Sequence, residues 1–148
     1  MHRLFFCIAV AAGIAAGMLR AQEPATAPSA PRAPDVRYVD ARGVCVDIDP
    51  QRIAESRENA RLAGVTDRIE FRNEDLLTTD LSSATVIMLF LSPELNLRLR
   101  PRLLRELKPG TRVVSHWHDM GNWKPLQSVL ISSYGRSRYV YLWSIPER

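Results

Sequence analysis

Beyond residue 41 the apolar positions switch between short unbroken runs and helical spacing, the pattern of strands separated by helices. Val44-Cys45-Val46 reads as a short buried strand that ends in Asp47-Ile48-Asp49. Asp49 caps a helix whose first residue is Pro50, since proline's fixed φ suits that position and its missing N–H is not needed there. Ile53, Ala54 and Ala60 carry that helix toward a stop near Gly64. Residues 68–72 form the next strand, which runs into the acidic segment Asn73-Glu74-Asp75-Leu76. The stretch from Thr85 to Leu91 has no polar alternation, which predicts a strand covered on both faces and the most buried element of the chain. Phe90 or Leu91, at its end, is expected near the pocket. Ser92-Pro93 opens a second helix, which Pro101 should kink or restart. Pro109-Gly110 turns the chain into a strand over residues 111–115, and residues 128–132 and 138–143 predict an antiparallel pair joined around Gly135.

Strand–helix–strand repetition closed by a hairpin predicts a three-layer α/β sheet. Ligands in such sheets bind beyond the carboxyl ends of the strands. Asp47, Asp49, Asp75 and Ser92 all fall at such ends, so polar groups converge where a ligand would sit. Capping its own helix is the simpler role for Asp49, which leaves Asp47 and Asp75 as the ligand-facing carboxylates.

The first 40 residues have a different character. Arg3, an apolar run from Leu4 to Leu19, and Arg20-Ala21 give the layout of a secretory signal peptide over residues 1–21, too short to span a bilayer comfortably. Its removal would export the protein and leave no stable membrane span. Residues 22–36 are rich in Pro and Ala, and they predict an extended linker that cannot bury enough surface to fold. Without the leader, Cys45 is the only thiol and reads as a small buried hydrophobe. The formal charge of +4 also loses Arg3 and Arg20, leaving 18 basic against 16 acidic residues, too balanced for a nucleic-acid partner. All but two of the basic residues are arginines, and Arg98, Arg100, Arg102 and Arg105 read as the solvated face of a helix.

Two further groups carry little chemistry. His116-Trp117-His118-Asp119 puts two histidines on one face of a strand end, but zinc wants three or four ligands, so no metal is expected. In the reading developed below, His116 or Asp119 lies near the acceptor pocket. No G-x-S-x-G elbow is present, which speaks against a hydrolase. Trp123, Tyr141 and Trp143 read as core and rim packing and not as a base-stacking platform.

The segments GVCVDIDPQRIAESRENARLAGVTDRIEF, DLSSATVIMLFLSPELNLRLRPRLLRELKPGTRVVSH and DMGNWKP, about two-thirds of the chain, together resemble a small bacterial group of class I S-adenosylmethionine (SAM)-dependent methyltransferases. More distantly they are similar to the ATP synthase c-subunit lysine N-methyltransferase family. The resemblance implies a Rossmann-like methyltransferase domain over residues 37–148 with SAM as cofactor. It implies that Asp47 accepts hydrogen bonds from the ribose hydroxyls, Ile48 packs on the adenine, Asp75 binds the adenine amino group and Leu76 covers the ring. It leaves the catalytic residues unassigned and makes a protein lysine the candidate acceptor. Phe90-Leu91-Ser92-Pro93 replaces the Asn/Asp-Pro-Pro-Tyr motif of many enzymes that modify nucleobase amino groups.

One departure from that family is specific. Its members carry a leading helix, a first strand, a glycine-rich loop and a first crossover helix ahead of a segment like Ala41-Arg42-Gly43-Val44; here Asp40 alone joins that segment to Val36-Arg37-Tyr38-Val39. The seven glycines are scattered, and no two lie close enough to form the loop. The sheet is therefore expected to be incomplete, with the strands on either side of the gap left with unpaired edges or forced together. An impaired enzyme, a noncatalytic remnant or binding module, and a truncated gene model of an intact methyltransferase all satisfy this pattern.

The leader generates the first prediction. The exported protein should begin at or near Gln22. Intact-mass measurement checks this, and a retained Met1 would rule it out.

Overall fold

A computed structural model describes residues 41–133 and 135–147; the leader and linker expected from the sequence lie outside them. The order is β1 (Gly43–Asp47), α1 (Pro50–Leu62), a 3-10 turn (Thr66–Arg68), β2 (Ile69–Asn73), β3 (Val86–Leu89), α2 (Pro93–Glu106), β4 (Arg112–His116), β5 (Gln127–Ser133) and β6 (Arg136–Ser144). Asp49 is the N-cap of α1, with its Oδ1 accepting from the Gln51 N–H at 2.9 Å and Pro50 following as expected. The helix stops where Gly64 takes φ +67°, a conformation glycine adopts without a Cβ penalty.

The strands form two sheets. β1 and β2 pair in parallel, Gly43 opposite Ile69 through Asp47 opposite Asn73. The second sheet has the order β3-β4-β6-β5, parallel between β3 and β4 and antiparallel for the other two pairs. Its C-terminal hairpin turns at Gly135 as the sequence predicted. The layout is a Rossmann-like α/β fold with a break between β1 and β3. Of the two outcomes expected for a missing central strand, the chain takes the first: the flanking strands keep separate sheets.

That break corrects one expectation. β3 is not covered on both faces; it is the edge strand of its sheet. Ile87 and Leu89 are buried, but Met88 and Phe90 remain 42% and 44% exposed. A run such as Val-Ile-Met-Leu-Phe-Leu suits a strand with neighbours on both sides, and here the neighbour on one side is absent among the described residues. β5, the opposite edge, exposes Val129, Leu130 and Ile131.

The core lies against one face of the four-stranded sheet. Asn96, Leu99 and Leu103 are buried at helical spacing along α2, and Leu99 and Leu103, with Leu107 after them, pack with Ile87, Leu89, Val113 and Trp143. Leu81 and Ala84, from the segment that links the two sheets, complete it. Pro101 does not restart α2, which runs unbroken from Pro93 to Glu106 with Pro101 on its exposed side. Gly121 makes a close approach possible, because a Cβ there would meet Leu97 Cδ2 at 2.9 Å. Cys45 is buried on β1, as expected for a small hydrophobe.

The second prediction follows from the α2 stripe. Leu103→Ala should lower the stability of the folded chain by about 2–5 kcal/mol, because a fully buried side chain leaves a cavity. The same change at the exposed Leu97 should cost under about 1 kcal/mol. Denaturant unfolding of both variants measures the contrast.

Candidate functional site

Three strand ends meet at one cleft. β1 ends in Asp47, whose Oδ1 accepts from the Asp49 N–H at 2.8 Å and so shapes the turn into α1. That turn leaves Ile48 71% exposed at the lip. Asn73, at the end of β2, fastens the turn from the neighbouring strand: its side-chain amide donates to the carbonyls of Asp47 at 2.9 Å and Ile48 at 3.0 Å. The acidic segment then folds back on itself. Asp75 Oδ1 accepts from the Leu77 N–H at 2.8 Å, while its carbonyl accepts from the N–H groups of Thr78 and Thr79 at 3.0 and 3.1 Å.

Arg102 clamps this segment to α2. Its guanidinium donates to the carbonyls of Leu76 at 3.0 Å and Thr79 at 2.8 Å, and Glu106, one turn along the helix, holds it at 2.6 and 2.9 Å. The side chain is only 19% exposed. The hydrogen bond from Arg102 holds the Glu106 carboxyl below its usual range. Arg100 similarly donates to the Met120 carbonyl at 2.7 Å and to Asn122 Oδ1 at 2.5 Å. The arginine cluster is thus a solvated face only at Arg98 and Arg105; the other two tie loops to the helix.

The cleft encloses about 240 Å³ and is bounded by Val46, Asp47 and Ile48 at the end of β1, by Asp75, Leu76 and Leu77 from the acidic segment, by Met88 to Leu91 at the end of β3, and by Leu95 in the first turn of α2. All four residues that the sequence nominated, Asp47, Ile48, Asp75 and Leu76, line this one space, and so do Phe90 and Leu91. The walls are apolar and the two carboxylates stand among them, an arrangement suited to a flat ring with hydroxyl or amino donors at its edge. Ser92 instead caps α2, its Oγ accepting from the Leu95 N–H at 3.3 Å.

A second feature continues from the cleft along the end of β4. Phe90 stacks at a tilt on His116, with ring centroids 4.9 Å apart. Burial first, then the charges of Arg138 and His118, push His116 below the usual imidazole range. The alternation expected for His116 and His118 ends at Trp117, whose φ of +77° takes the chain out of the strand. A bulky residue in that conformation costs about 1–3 kcal/mol. Trp117 is held there by its N–H, which donates to the Tyr139 carbonyl at 2.7 Å, by the Arg138 guanidinium 3.9 Å from its ring, and by His118 stacked at 5.1 Å. Beneath, the buried Asn96 amide donates to Ser115 Oγ at 3.1 Å and to the His118 carbonyl at 3.1 Å. Trp143 is core, and Trp123 and Tyr141 pack at its rim. Among the described residues, no three His, Cys, Asp or Glu side chains group to hold a metal ion, and no helix is long and apolar enough to cross a membrane.

Sequence reasoning missed Arg102, Asn73 and Trp117. The i,i+4 pair Arg102–Glu106 was readable, but nothing local says that the guanidinium also reaches loop carbonyls.

Known proteins resemble this chain in sequence and fold. The family described as ANTKMT methyltransferase domain matches residues 33–127. A curated protein-lysine N-methyltransferase from Saccharolobus islandicus (strain REY15A) is 38% identical over 106 residues; the match covers 72% of this chain but 66% of that protein, just under two thirds of its length. An RNA methyltransferase from Salinibacter ruber, solved in complex with S-adenosyl-L-homocysteine, is 49% identical with a TM-score of 0.66, over 73% of this chain and 68% of that one. TrmN from Thermus thermophilus, 18% identical with a TM-score of 0.53 over 67% of this chain and 35% of its own, shares the fold.

The third prediction concerns the clamp. Arg102→Ala should cost about 1–3 kcal/mol, since it strips charged hydrogen bonds from the Leu76 and Thr79 carbonyls. Arg98→Ala, fully on the surface, should stay within about 0.5 kcal/mol of the parent. Because Glu106 has a lowered pKa when folded, its contribution is present above the ordinary glutamate value and lost as pH falls through the folded one. Unfolding curves at neutral pH and at acid pH should therefore show the Arg102 penalty shrinking on acidification.

Proposed function

Because the chain belongs to the ANTKMT methyltransferase domain family, we propose that its cleft takes the adenosine half of SAM and that the family's methyl acceptor here is a protein lysine. The observation that carries the reading is the convergence of Asp47, Ile48, Asp75 and Leu76 on one cleft. A carboxylate at a strand end accepts two hydroxyl hydrogen bonds, as in dinucleotide folds. Asp47 and Asp75 each have Oδ1 engaged by a backbone N–H, while their Oδ2 atoms make no hydrogen bond among the described residues. Asp47 therefore holds the ribose and Asp75 the adenine amino group, with Ile48 and Leu76 against the ring faces. SAM, when bound, supplies an electrophilic sulfonium methyl. The chain's own part is to hold the adenosine, exclude water with Phe90 and Leu91, and present the acceptor at the β4 end.

The lysine acceptor rests on the Saccharolobus relative. The Salinibacter relative gives RNA as the second acceptor reading. In this form the chain is an impaired enzyme. A methionine carboxylate and amine need several backbone donors and acceptors, and no glycine-rich loop brings a backbone close enough to supply them. Each lost hydrogen bond to a charged group costs about 1.5–3 kcal/mol. Losing two or three weakens binding by roughly two orders of magnitude or more. A noncatalytic adenosine-binding module is the corresponding alternative.

Calorimetric titration with SAM and S-adenosylhomocysteine is the fourth test. We expect dissociation constants of roughly 100 μM to 1 mM, lost in Asp47→Ala, and no methyl transfer to lysine peptides or RNA. Low-micromolar binding that survives Asp47→Ala would put the ligand outside this cleft, and transfer to either acceptor would show that the missing loop is dispensable.

A further inference from the structure

We infer that Trp117 and Arg138 form an acceptor-recognition rim beside the cleft, selecting protein segments that carry an acidic residue next to the target lysine. The inference rests on the proposed function for the reaction itself, but its own evidence lies elsewhere in the fold. The rim is continuous with the cleft. Phe90 lines that space and touches His116, the last residue of β4; Trp117 follows directly, and its N–H is bonded to Tyr139, next to Arg138 on β6. An acceptor reaching the cleft from the β4 end would pass over these side chains.

Three observations mark the rim as more than packing. First, Trp117 is the only non-glycine residue with positive φ among the described residues, yet the residue stays 46% exposed and is not part of the buried core. Strain of this kind persists where the surroundings enforce it, and it clusters at sites of recognition. Second, the Arg138 guanidinium lies over the Trp117 ring, 3.9 Å from its centroid, and no carboxylate among the described residues pairs with it. Its only hydrogen bond there goes to the Ser137 carbonyl at 2.8 Å. A pre-positioned guanidinium without an ionic partner is matched to a planar carboxylate, which it can grip with two parallel N–H bonds. Third, each exposed ring of the rim already rests on a neighbour: Phe90 on His116, Trp117 on His118 and Arg138, Tyr139 on Tyr141. Successive bases of a nucleic acid need open ring faces to stack on. A peptide needs only the ring edges and the guanidinium, so the arrangement favours protein over RNA.

Fluorescence anisotropy with the full chain tests this. The probes are two labelled lysine peptides that differ only in the residue beside the lysine, Glu in one and Arg in the other, and an oligoribonucleotide of similar length. The Glu peptide should bind about tenfold more tightly than the Arg peptide, and Arg138→Gln should erase that difference. Trp117→Gly should weaken the Glu peptide about tenfold while keeping or raising the melting temperature, because glycine takes this φ without strain. A ring that served only the fold would instead lower the melting temperature and leave affinity alone. Equal binding of the two peptides, binding of neither, tighter binding of the RNA, or an Arg138→Gln variant that still discriminates would each overturn the inference. Titration of the same samples with S-adenosylhomocysteine separates the two readings: peptide discrimination without nucleoside binding would keep the rim and discard the cleft assignment.

Discussion

The shape of this molecule depends on the clamp between Arg102 and the acidic segment. Among the described residues no backbone hydrogen bond joins β1 to β3, so hydrogen bonding between strands does not hold the two sheets together. What holds them is α2. Leu99, Leu103 and Leu107 fix it to the four-stranded sheet, each burial contributing about 1.5–3 kcal/mol. From the same helix Arg102 reaches back to the carbonyls of Leu76 and Thr79, in the segment that follows β2. Asn73 passes the constraint on to the β1 turn through the Asp47 and Ile48 carbonyls. The cleft therefore has a fixed width although the strand that would have set it is missing. Two polar side chains substitute for a strand's ladder of hydrogen bonds.

How much of this was legible in the sequence follows from where each signal resides. Asp49-Pro50, Gly64, Ser92-Pro93 and the hairpin around Gly135 are local devices, read from a few neighbouring residues, and each appears where expected. The convergence of Asp47 and Asp75 was legible too, because strand ends in this fold class face one way. The run from Thr85 to Leu91 misled on burial, since its composition records the neighbours it is suited to and not those it has. Pro101 sits on the exposed side of α2, where a missing N–H is tolerated. The arginines of α2 are chemically alike, so only tertiary geometry distinguishes Arg102, bonded to two loop carbonyls, from Arg98 in solvent. No pattern of apolar and polar letters encodes the φ of Trp117.

The proposed cofactor half-site and acceptor rim would obey different physics. At the cleft, in the proposed reading, apolar walls and two carboxylates would recognise a neutral, flat nucleoside by shape and by donated hydrogen bonds. At the proposed rim, a guanidinium over an indole ring would recognise charge, and it lies near His116, whose pKa burial and then the Arg138 charge lower. A lysine approaching as an ammonium must lose its proton before it can act as a nucleophile.

The two ends of the four-stranded sheet have a colloidal consequence. Among the described residues β3 has an unpaired edge beside exposed Met88 and Phe90, and β5 has another beside Val129, Leu130 and Ile131. Uncovered edges of this kind are templates for pairing with another chain. Because the two edges differ, β3 of one molecule meeting β5 of the next is a head-to-tail contact that no twofold axis closes. Such contacts propagate. A chain pairing β3 with β5 in this way would grow by linear addition, whereas β5 meeting β5 of a second copy would close into a dimer.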